Sequence, residues 1–391
     1  MPENSWTLIS SDDGKVHDEL NICGAEISQA AADCRIDYRP LRGGRREGLH
    51  QLTVDNGAIC LILIPERGMG IWKAWAGDTE IGWQSPVDGP VHPQWVPLHE
   101  PSGLGWLEGF DELLVRCGLH SNGAPEHDEQ GRLRFPLHGK IAQSPAHHLE
   151  VAVDKESGEI TVRGVVDERR FLFYHLQLVA TVRLKPQSPV IAIEDVVTNL
   201  SATAGEMQLL YHINFGPPLL TPGGKLVLAA KRVAPRDMEA TKDVDEWALY
   251  GPPEANFNER VHFFELLADE QQQTQVLLRN ASATEGISLH YNTEQLPCFA
   301  QWKHTGALQD GYVTGLEPAT NFPNPRSFEA EHQRVVSLAP DESRRFDLKL
   351  QFHDSAAEVE QAELAVKKLS GEVEPSVASL PEPAWSFGAE T

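Results

Sequence analysis

The stretch Leu209-Leu210-Tyr211-His212-Ile213-Asn214-Phe215-Gly216 decides how the rest of the sequence is interpreted. Its apolar residues are typical of a β-strand, and the Gly-Pro-Pro run that begins at Gly216 ends that strand. His212 therefore stands near a strand end beside a turn, where a cleft can form. About a hundred residues later, Tyr312-Val313-Thr314-Gly315-Leu316-Glu317-Pro318 repeats the arrangement with a carboxylate. An imidazole and a carboxylate at two strand ends are sufficient for paired proton transfer.

Strand patterns recur along most of the chain, at intervals of about 8 to 12 residues. Residues 51–54 and 58–64 flank an Asp-Asn-Gly turn, which predicts a tight hairpin, and residues 190–199 and 206–215 predict two longer strands. Strands and helices do not alternate regularly, and no blade-like repeat is present. The sequence therefore predicts an all-β fold, a large antiparallel β-sandwich with few short helices.

The composition divides the chain into a central domain and two flanking portions. We expect residues 1–45 to lead in and cover a sheet edge, residues 46–355 to form the sandwich, and residues 356–391 to form a helix and a mobile tail. Residues 84–147 are dense in Pro, Gly, His and Trp, which predicts an irregular and functional segment. Residues 221–260 are interpreted as a looser insertion.

Charge and cysteine usage exclude several classes of protein. The chain has 33 basic and 57 acidic residues, a formal net charge of −24, which disfavours nucleic acid as a partner. Its five cysteines form no CxxC pair, which argues against disulfide frameworks and thiolate zinc sites. The N-terminal residues lack the basic start and apolar core of a signal peptide, and no apolar run approaches the roughly 20 residues of a membrane span. We expect a soluble, cytoplasmic protein, and the sequence leaves its oligomeric state open.

Several motifs, taken in order, resemble the galactose mutarotase-like (aldose 1-epimerase) superfamily. They are an Arg-x-Gly at Arg116, a His-Gly at His138, the Tyr-His-Ile-Asn-Phe run around His212 and the Glu-Pro at Glu317. The segment Pro65-Glu66-Arg67-Gly68-Met69-Gly70-Ile71 is similar to the Pro-x-Arg-Gly-Met-x-Ile segment of an uncharacterised branch of predicted aldose 1-epimerases. The resemblance covers residues 48–352 and implies a β-sandwich of the galactose mutarotase type.

The resemblance also implies roles for individual residues. His212, followed by the aromatic Phe215, would be the general acid, and Glu317 would be the general base. His138 and Arg116 would bind sugar hydroxyls. The sequence departs from the His-Gly-Phe-Ala-Arg pattern of hexose-6-phosphate mutarotases, because Lys140 follows His138-Gly139 and the arginine is missing. That departure counts against a phosphorylated sugar, although Lys140 is a partial substitute.

The chemistry of sugars adds four candidates to this set. Arg67, Asn214 and Asn321 offer planar polar groups for hydroxyls, and Trp302 offers a ring on which a sugar face can stack. With a small carbohydrate as substrate, the pair would open and close a hemiacetal ring, a reaction that needs no cofactor and no metal. A neighbouring carboxylate keeps a histidine protonated near neutrality. We therefore expect His212 and Glu317 to face one open groove, about a sugar ring's width apart.

Each candidate also has a structural interpretation. His212 is then a hydrogen-bonded core histidine, Glu317 a loop-edge carboxylate, Arg67 a structural partner of Glu66 or Asp111, and Trp302 a core residue. At the level of function, the same scaffold could bind or sense a sugar without turnover. A glycosidase would need two carboxylates facing across the bond, and only one is matched. The histidines of residues 84–147 lack a carboxylate at ligand spacing, so we expect no metal.

Overall fold

The structure, a computed structural model, describes residues 3–389 of the 391-residue chain. The predicted lead-in and tail extend to residues 1–2 and 390–391, which lie outside the described residues. Within the described range the chain forms 26 strands, two α-helices and nine 3-10 helices. The strands are β1 (Glu3–Ser10), β2 (Lys15–Val16), β3 (Leu20–Cys23), β4 (Arg35–Pro40), β5 (His50–Asp55), β6 (Ile59–Ile64), β7 (Gly70–Ala76), β8 (Thr79–Ile81), β9 (Leu114–Leu119), β10 (Glu126–His127), β11 (Leu133–Phe135), β12 (Ala146–Asp154), β13 (Ile160–Arg170), β14 (Tyr174–Leu184), β15 (Val190–Asn199), β16 (Gly205–Phe215), β17 (Lys225–Leu228), β18 (Ala230–Pro235), β19 (Arg260–Leu266), β20 (Gln273–Arg279), β21 (Gly286–Asn292), β22 (Cys298–Thr305), β23 (Tyr312–Ala319), β24 (Val336–Leu338), β25 (Ser343–His353) and β26 (Ser376–Val377). The α-helices are α1 (Arg326–Glu331) and α2 (Ala356–Ser370), and the 3-10 helices span Gly24–Glu26, Gln29–Ala31, Gly44–Arg46, Pro93–Trp95, Gly105–Gly109, Ile141–Gln143, Ala240–Glu246, Leu308–Asp310 and Phe387–Ala389.

Two large sheets contain almost all of these strands. The first has ten strands in the order β17-β20-β21-β25-β15-β14-β13-β12-β1-β2. The second has fourteen, with the path β26-β18-β19-β22-β23-β16-β9-β7-β6-β5-β4-β3, and β24 and β8 pair beside it. Neighbouring strands are antiparallel, apart from the parallel pair of β18 and β26. Strands β10 and β11 form a small hairpin of their own.

One apolar core fills the space between the two sheets. It takes side chains such as Leu61 and Ile71 from the fourteen-stranded sheet and Leu178 and Leu348 from the ten-stranded sheet, all of them buried. Two sheets that bury one face of each against a shared core form a β-sandwich. The predicted antiparallel sandwich with few short helices is therefore confirmed.

The predicted hairpin shows why the local sequence folds in this way. Strands β5 and β6 pair on either side of Asn56, whose side-chain oxygen accepts hydrogen bonds from the backbone N–H groups of Ala58 and Ile59. The Asn56 amide also donates to the carbonyl oxygens of Lys185 and Ser188, at 2.6 and 3.0 Å. The turn thus connects the end of the β5–β6 hairpin in the fourteen-stranded sheet to the loop between β14 and β15 of the ten-stranded sheet.

Two segments are more regular than the sequence indicated. Residues 84–147 contain β9, a central strand of the fourteen-stranded sheet, and all six of its residues are buried. A strand that is buried on both faces lacks the alternation of polar and apolar residues by which a half-exposed strand is recognised. Residues 221–260 contain β17 and β18, which join different sheets, before the 3-10 helix Ala240–Glu246.

The terminal portions join the sheets directly. Strands β1 and β2 lie at one edge of the ten-stranded sheet, and β3 and β4 lie at one edge of the fourteen-stranded sheet. After α2, where we predicted a mobile tail, β26 pairs with β18, and the amide of Asn324 donates to the carbonyl oxygen of Trp385 at 2.8 Å. No helix within residues 3–389 has the length and hydropathy that a membrane span needs.

Candidate active site

Strand alternation places His212 on the face of the fourteen-stranded sheet that points away from the other sheet. Leu209, Tyr211 and Ile213 of β16 face the main core, so the residues between them face the opposite side. There Leu210 belongs to a separate apolar layer, which we call the outer cluster, formed by Trp83, Trp106, Phe110, Val115, Cys117, Ala142, Leu210, Val313 and Ala319. The imidazole of His212 lies within this layer.

Strand register brings Glu317 to the same place. Strands β16 and β23 pair antiparallel with Leu210 opposite Ala319 and Ile213 opposite Leu316, so His212 is opposite Glu317. The Nε2 atom of His212 lies 3.3 Å from Oε1 of Glu317. The structure thus brings together the two residues that the sequence singled out.

The geometry of the pair differs from the expected open groove of a sugar ring's width. Directly opposed side chains on neighbouring strands have Cβ atoms only about 5 Å apart, so the two groups are in contact. Their side chains are 5% and 3% exposed, because the outer cluster covers them. The site is a closely fitted pair that is almost completely buried.

Asn214 fixes the tautomer of His212. The amide nitrogen of Asn214 donates to the carbonyl oxygen of Glu112 at 3.0 Å, so its side-chain oxygen is the atom that faces the imidazole. That oxygen only accepts, and it lies 2.6 Å from Nδ1 of His212. Nδ1 therefore carries the proton, and Nε2, which lies 3.3 Å from Oε1 of Glu317, is unprotonated. Asn214 orients the imidazole of His212, which lies between Asn214 and the carboxyl group of Glu317.

Burial decides the charges of the pair. It raises the pKa of Glu317 to about 8, an effect that Arg236 opposes and Glu259 reinforces. Burial, with a smaller contribution from His138, holds the pKa of His212 well below its ordinary value. Near neutral pH the pair therefore carries one proton, on Glu317, and the imidazole of His212 is neutral. The sequence predicted a protonated histidine beside a carboxylate, and the cost of removing charges from water reverses that assignment.

Aromatic rings enclose the imidazole of His212. The ring centroids of Phe110, His138, Trp302 and Trp106 lie 5.0, 5.3, 5.5 and 6.0 Å from that of His212. Trp106 and Phe110 are almost completely buried, whereas Trp302 is only partly buried. The predicted stacking residue Trp302 therefore forms the outermost wall of the site.

Gly315 leaves the space in which the pair meets. It stands opposite Asn214 in the pairing of β16 with β23. A Cβ atom at this position would lie 2.7 Å from Cε1 of His212 and 3.0 Å from Oε1 of Glu317, closer than real contacts allow. A glycine inside a strand often marks a close approach of this kind. The glycine within the apolar run from Tyr312 to Glu317 is the signal in the sequence that indicates this contact.

His138 reaches the site from a loop. Its backbone has a positive φ of 57°, and the next residue, Gly139, cannot carry a Cβ because Ser121 O would lie 2.0 Å away. Nδ1 of His138 donates to the carbonyl oxygen of Asn122 at 3.0 Å, which leaves Nε2 as an acceptor. Burial lowers the pKa of His138 to about 4, so the ring is neutral.

Asn321 supports this loop from behind. Its amide exchanges two hydrogen bonds with the amide of Asn122, at 2.8 and 2.9 Å, and both residues are completely buried. Asn321 thereby holds Asn122, whose carbonyl oxygen positions His138. Asn321 therefore acts on His138 through Asn122.

Both arginine candidates form buried ion pairs. Arg116 faces the space between the sheets, opposite to the side of His212, and its guanidinium pairs with Asp195 of β15 at 2.5 and 2.9 Å. Arg67 pairs with Glu112, at 2.8 Å from Nε, rather than with Glu66 or Asp111, and it also donates to Gly109 O. Arg67 thereby fixes the loop that carries Phe110.

Three other histidines of residues 84–147 each contact a different partner. His120 stacks on Tyr174 with ring centroids 4.2 Å apart, and His127 contacts the carbonyl oxygen of Pro101. His92 accepts a hydrogen bond from the backbone of Gln94. Within the part of the chain that the structure describes, no group of three or more His, Cys, Asp or Glu side chains is arranged to hold a metal ion.

Comparisons with known proteins agree with this architecture. Residues 46–352 match a family described as a domain of unknown function, DUF4432. A crystal structure from Klebsiella pneumoniae, described as "a putative aldose 1-epimerase", is 32% identical, and the match covers 97% of this chain and 99% of that chain with a TM-score of 0.93. No curated protein matches the chain.

More distant solved structures share the fold alone. The galactose 1-epimerase of Lactobacillus acidophilus is 12% identical over 82% of this chain and 99% of that one, with a TM-score of 0.54. An Escherichia coli K12 protein described as "a Putative aldose 1-epimerase" is 16% identical over 78% and 99%, with a TM-score of 0.51. The fold is the β-sandwich of galactose mutarotase-like proteins.

Proposed function

The chain belongs to the DUF4432 family, and we propose that this member is an aldose 1-epimerase-like isomerase that interconverts the anomers of a free or modified aldose. The observation that carries the proposal is the contact of His212 with Glu317, whose Nε2 and Oε1 atoms lie 3.3 Å apart. A buried pair with one proton can give a proton to one oxygen while it takes a proton from another.

The contact distance suits the chemistry better than the expected ring's width. In a cyclic aldose, the hydroxyl oxygen O1 and the ring oxygen O5 are both bonded to C1. An acid and a base that are close neighbours can each reach one of two oxygens on the same carbon. The sugar would enter between the pair and the aromatic rings, so that the proton passes through the hemiacetal instead of directly between the two side chains.

The proposed ring opening balances in protons and bonds. Nε2 of His212 takes the proton from O1 while Glu317 gives its proton to O5, so the C1–O5 bond breaks and the C1–O1 carbonyl forms. Rotation about C1–C2 presents the other face of the aldehyde, and closure returns both protons. The assignment implied by the resemblance, with His212 as acid and Glu317 as base, holds the same single proton on the other member of the pair. Each group serves as acid in one direction and as base in the other.

The surrounding residues suit the binding of a sugar. The rings of Trp302 and Phe110 offer apolar surfaces for the C–H face of a pyranose. Nε2 of His138 is an acceptor for a hydroxyl group, and Asn214 keeps His212 in the required tautomer. In this proposal Arg67, Arg116 and Asn321 support the site without touching the sugar. We also propose that the protein acts in the cytoplasm, in keeping with its acidic composition.

Anomer exchange of sugars in solution tests the proposal. Pure α-D-glucose, α-D-galactose and α-D-xylose would be dissolved with and without the protein, and the approach to the anomeric equilibrium followed by polarimetry. We expect the protein to accelerate at least one of a wider panel of aldoses, by a factor that grows with protein concentration. Binding of a sugar without any acceleration across the panel would instead identify a sugar-binding or sensing protein.

A further inference from the structure

Of the three apolar rings around His212, that of Trp302 is the one that is not fully buried. Of the rings around His212, those of Trp106 and Phe110 are held inside the outer cluster, at 1% and 5% exposure. Trp302 is only partly buried and contacts both the outer cluster and a second apolar layer beyond it. Moving this indole exposes the least apolar surface, so it is the ring that a sugar can displace at the lowest cost.

Glu259 holds that indole from outside. It directly precedes β19, and Val261 of that strand stands opposite Trp302 of β22. One carboxylate oxygen of Glu259 accepts a hydrogen bond from Nε1 of Trp302 at 2.7 Å. The other accepts from Nη2 of Arg236 at 3.1 Å, and Arg236 also pairs with its neighbour Asp237. The carboxylate therefore clamps the wall of the site to the end of β18.

The clamp is strong enough to order the indole and weak enough to open. The Glu259 side chain is 49% exposed, so water competes for its oxygens. The same carboxylate also acts on the catalytic pair, because Glu259 and Arg236 shift the pKa of Glu317 in opposite directions. Glu259 thus affects both the position of Trp302 and the pKa of Glu317.

We infer that Glu259 is a positioning residue, which keeps Trp302 closed over His212 and Glu317 and releases it when a sugar enters. The inference rests on the proposed function for its biological meaning, but the clamp itself is a property of the resting protein. Its loss removes a bond that must break before the sugar enters, so the sugar binds more tightly while the chemistry of the pair persists.

The test follows the indole N–H of Trp302 by NMR in protein labelled with 15N-tryptophan. The signal is assigned by its loss in Trp302→Phe. We expect slow exchange with water in the wild type and in Glu259→Gln, whose amide oxygen still accepts. Exchange is about tenfold faster in Glu259→Ala, the order expected for losing one hydrogen bond. Glu265→Ala, which removes an exposed carboxylate paired with Lys231, is the matched control and leaves the signal unchanged. Equal exchange in the wild type and Glu259→Ala overturns the inference.

Kinetics with an accelerated aldose give a second and separable readout. Glu259→Ala lowers KM about tenfold with kcat changed less than about threefold, and Glu259→Gln restores the wild-type KM. In the Trp302→Phe background the KM effect of Glu259→Ala disappears, because the clamped N–H is already gone. Additive effects of the two substitutions contradict the clamp. A wild type that accelerates no aldose would instead refute the proposed function, and the indole measurement would still decide the inference.

Discussion

Nε2 of His212 and Oε1 of Glu317 lie 3.3 Å apart because the two residues stand opposite each other on neighbouring antiparallel strands. The strand register therefore sets their separation, and burial keeps the proton of the pair on Glu317 near neutral pH. In the proposed function, this proximity lets the two groups act on O1 and O5 of one hemiacetal carbon. The relationship yields predictions for the pair itself, for the space around it and for the fold that carries it.

Removing either member of the pair abolishes most of the proposed activity. His212→Ala and Glu317→Gln should each slow anomer exchange by about 10²–10⁴-fold, the usual contribution of a positioned acid or base. The double variant should be little worse than either single one, since the two groups act as a unit. Polarimetry measures the rates and circular dichroism monitors the fold. His290→Ala, a histidine of the ten-stranded sheet, is the control and should retain the wild-type rate.

A methyl group at position 315 should move His212 and Glu317 apart while both side chains remain present. Gly315→Ala places a Cβ 2.7 Å from the imidazole of His212, so the side chains must move apart. Because proton transfer requires hydrogen-bonding distance, we expect a loss of about 10²-fold in kcat. Gly251→Ala, where an added Cβ meets nothing within 4 Å, should be neutral. An unimpaired Gly315→Ala enzyme would remove the close contact from the mechanism.

The rate of exchange should have a bell-shaped dependence on pH. The active pair holds one proton, and Glu317, with its pKa raised to about 8, loses that proton as the pH rises through that region. The acid limb requires a second proton on His212, whose pKa is lowered, so that limb lies below pH 6.5. The two limbs belong to the pair rather than to single residues. A profile that keeps rising above pH 9 would contradict this account.

Glu317 should also lower the stability of the fold as the pH rises. The unfolded chain ionises this residue near its ordinary pKa of 4.5, whereas the folded protein keeps the proton up to about 8. Between these values the wild type loses up to about 1.4 kcal/mol of unfolding free energy per pH unit from this residue. Glu317→Gln cannot ionise, so its stability relative to the wild type should increase by on the order of a few kcal/mol between pH 4.5 and 8.

Urea denaturation at pH 5, 6.5 and 8 measures that difference. Glu265→Gln, at an exposed position, should show no such trend. A difference between Glu317→Gln and the wild type that stays the same at all three pH values would show that Glu317 is ionised throughout. Any constant offset reports only the altered contact with His212.

Arg116 should matter for stability and not for sugar affinity. Arg116→Leu leaves the carboxylate of Asp195 buried between the sheets without its partner, which should cost about 3–5 kcal/mol. KM in the folded fraction should stay within about twofold of the wild type, since the guanidinium lies on the other face of the sheet. Arg345→Leu, which breaks an exposed pair with Asp347, should cost less than about 1 kcal/mol. A large rise in KM for Arg116→Leu would restore it as a direct sugar contact.

Features that depend on local patterns could be predicted from the sequence. The Asp-Asn-Gly turn predicted the hairpin of β5 and β6, and the spacing of apolar runs predicted the sandwich. The motif resemblance singled out His212 and Glu317, and the strands that carry them do run side by side. These are properties of single segments, in which neighbouring residues along the chain carry the information.

Features that depend on register and burial could not be predicted in the same way. The 3.3 Å contact follows from which residue of β16 faces which residue of β23, and no local pattern encodes that pairing. The face of the sheet on which Arg116 lies could not be predicted, because β9 is buried on both faces and its sequence does not show which side chains point towards the other sheet. Phe110 and Trp106 lie in an irregular segment whose path over the sheet is set by tertiary contacts.

Exchange between sugar anomers at equilibrium tests the central claim most directly. Two-dimensional NMR exchange spectroscopy at pH 7 would follow the α and β signals of each aldose with the wild type, His212→Ala and Glu317→Gln at equal concentrations. The shared-proton pair predicts cross-peaks for at least one aldose in the presence of the wild type, and their absence with either variant. Cross-peaks of equal intensity with wild type and variants, or none with the wild type for any aldose, would contradict it.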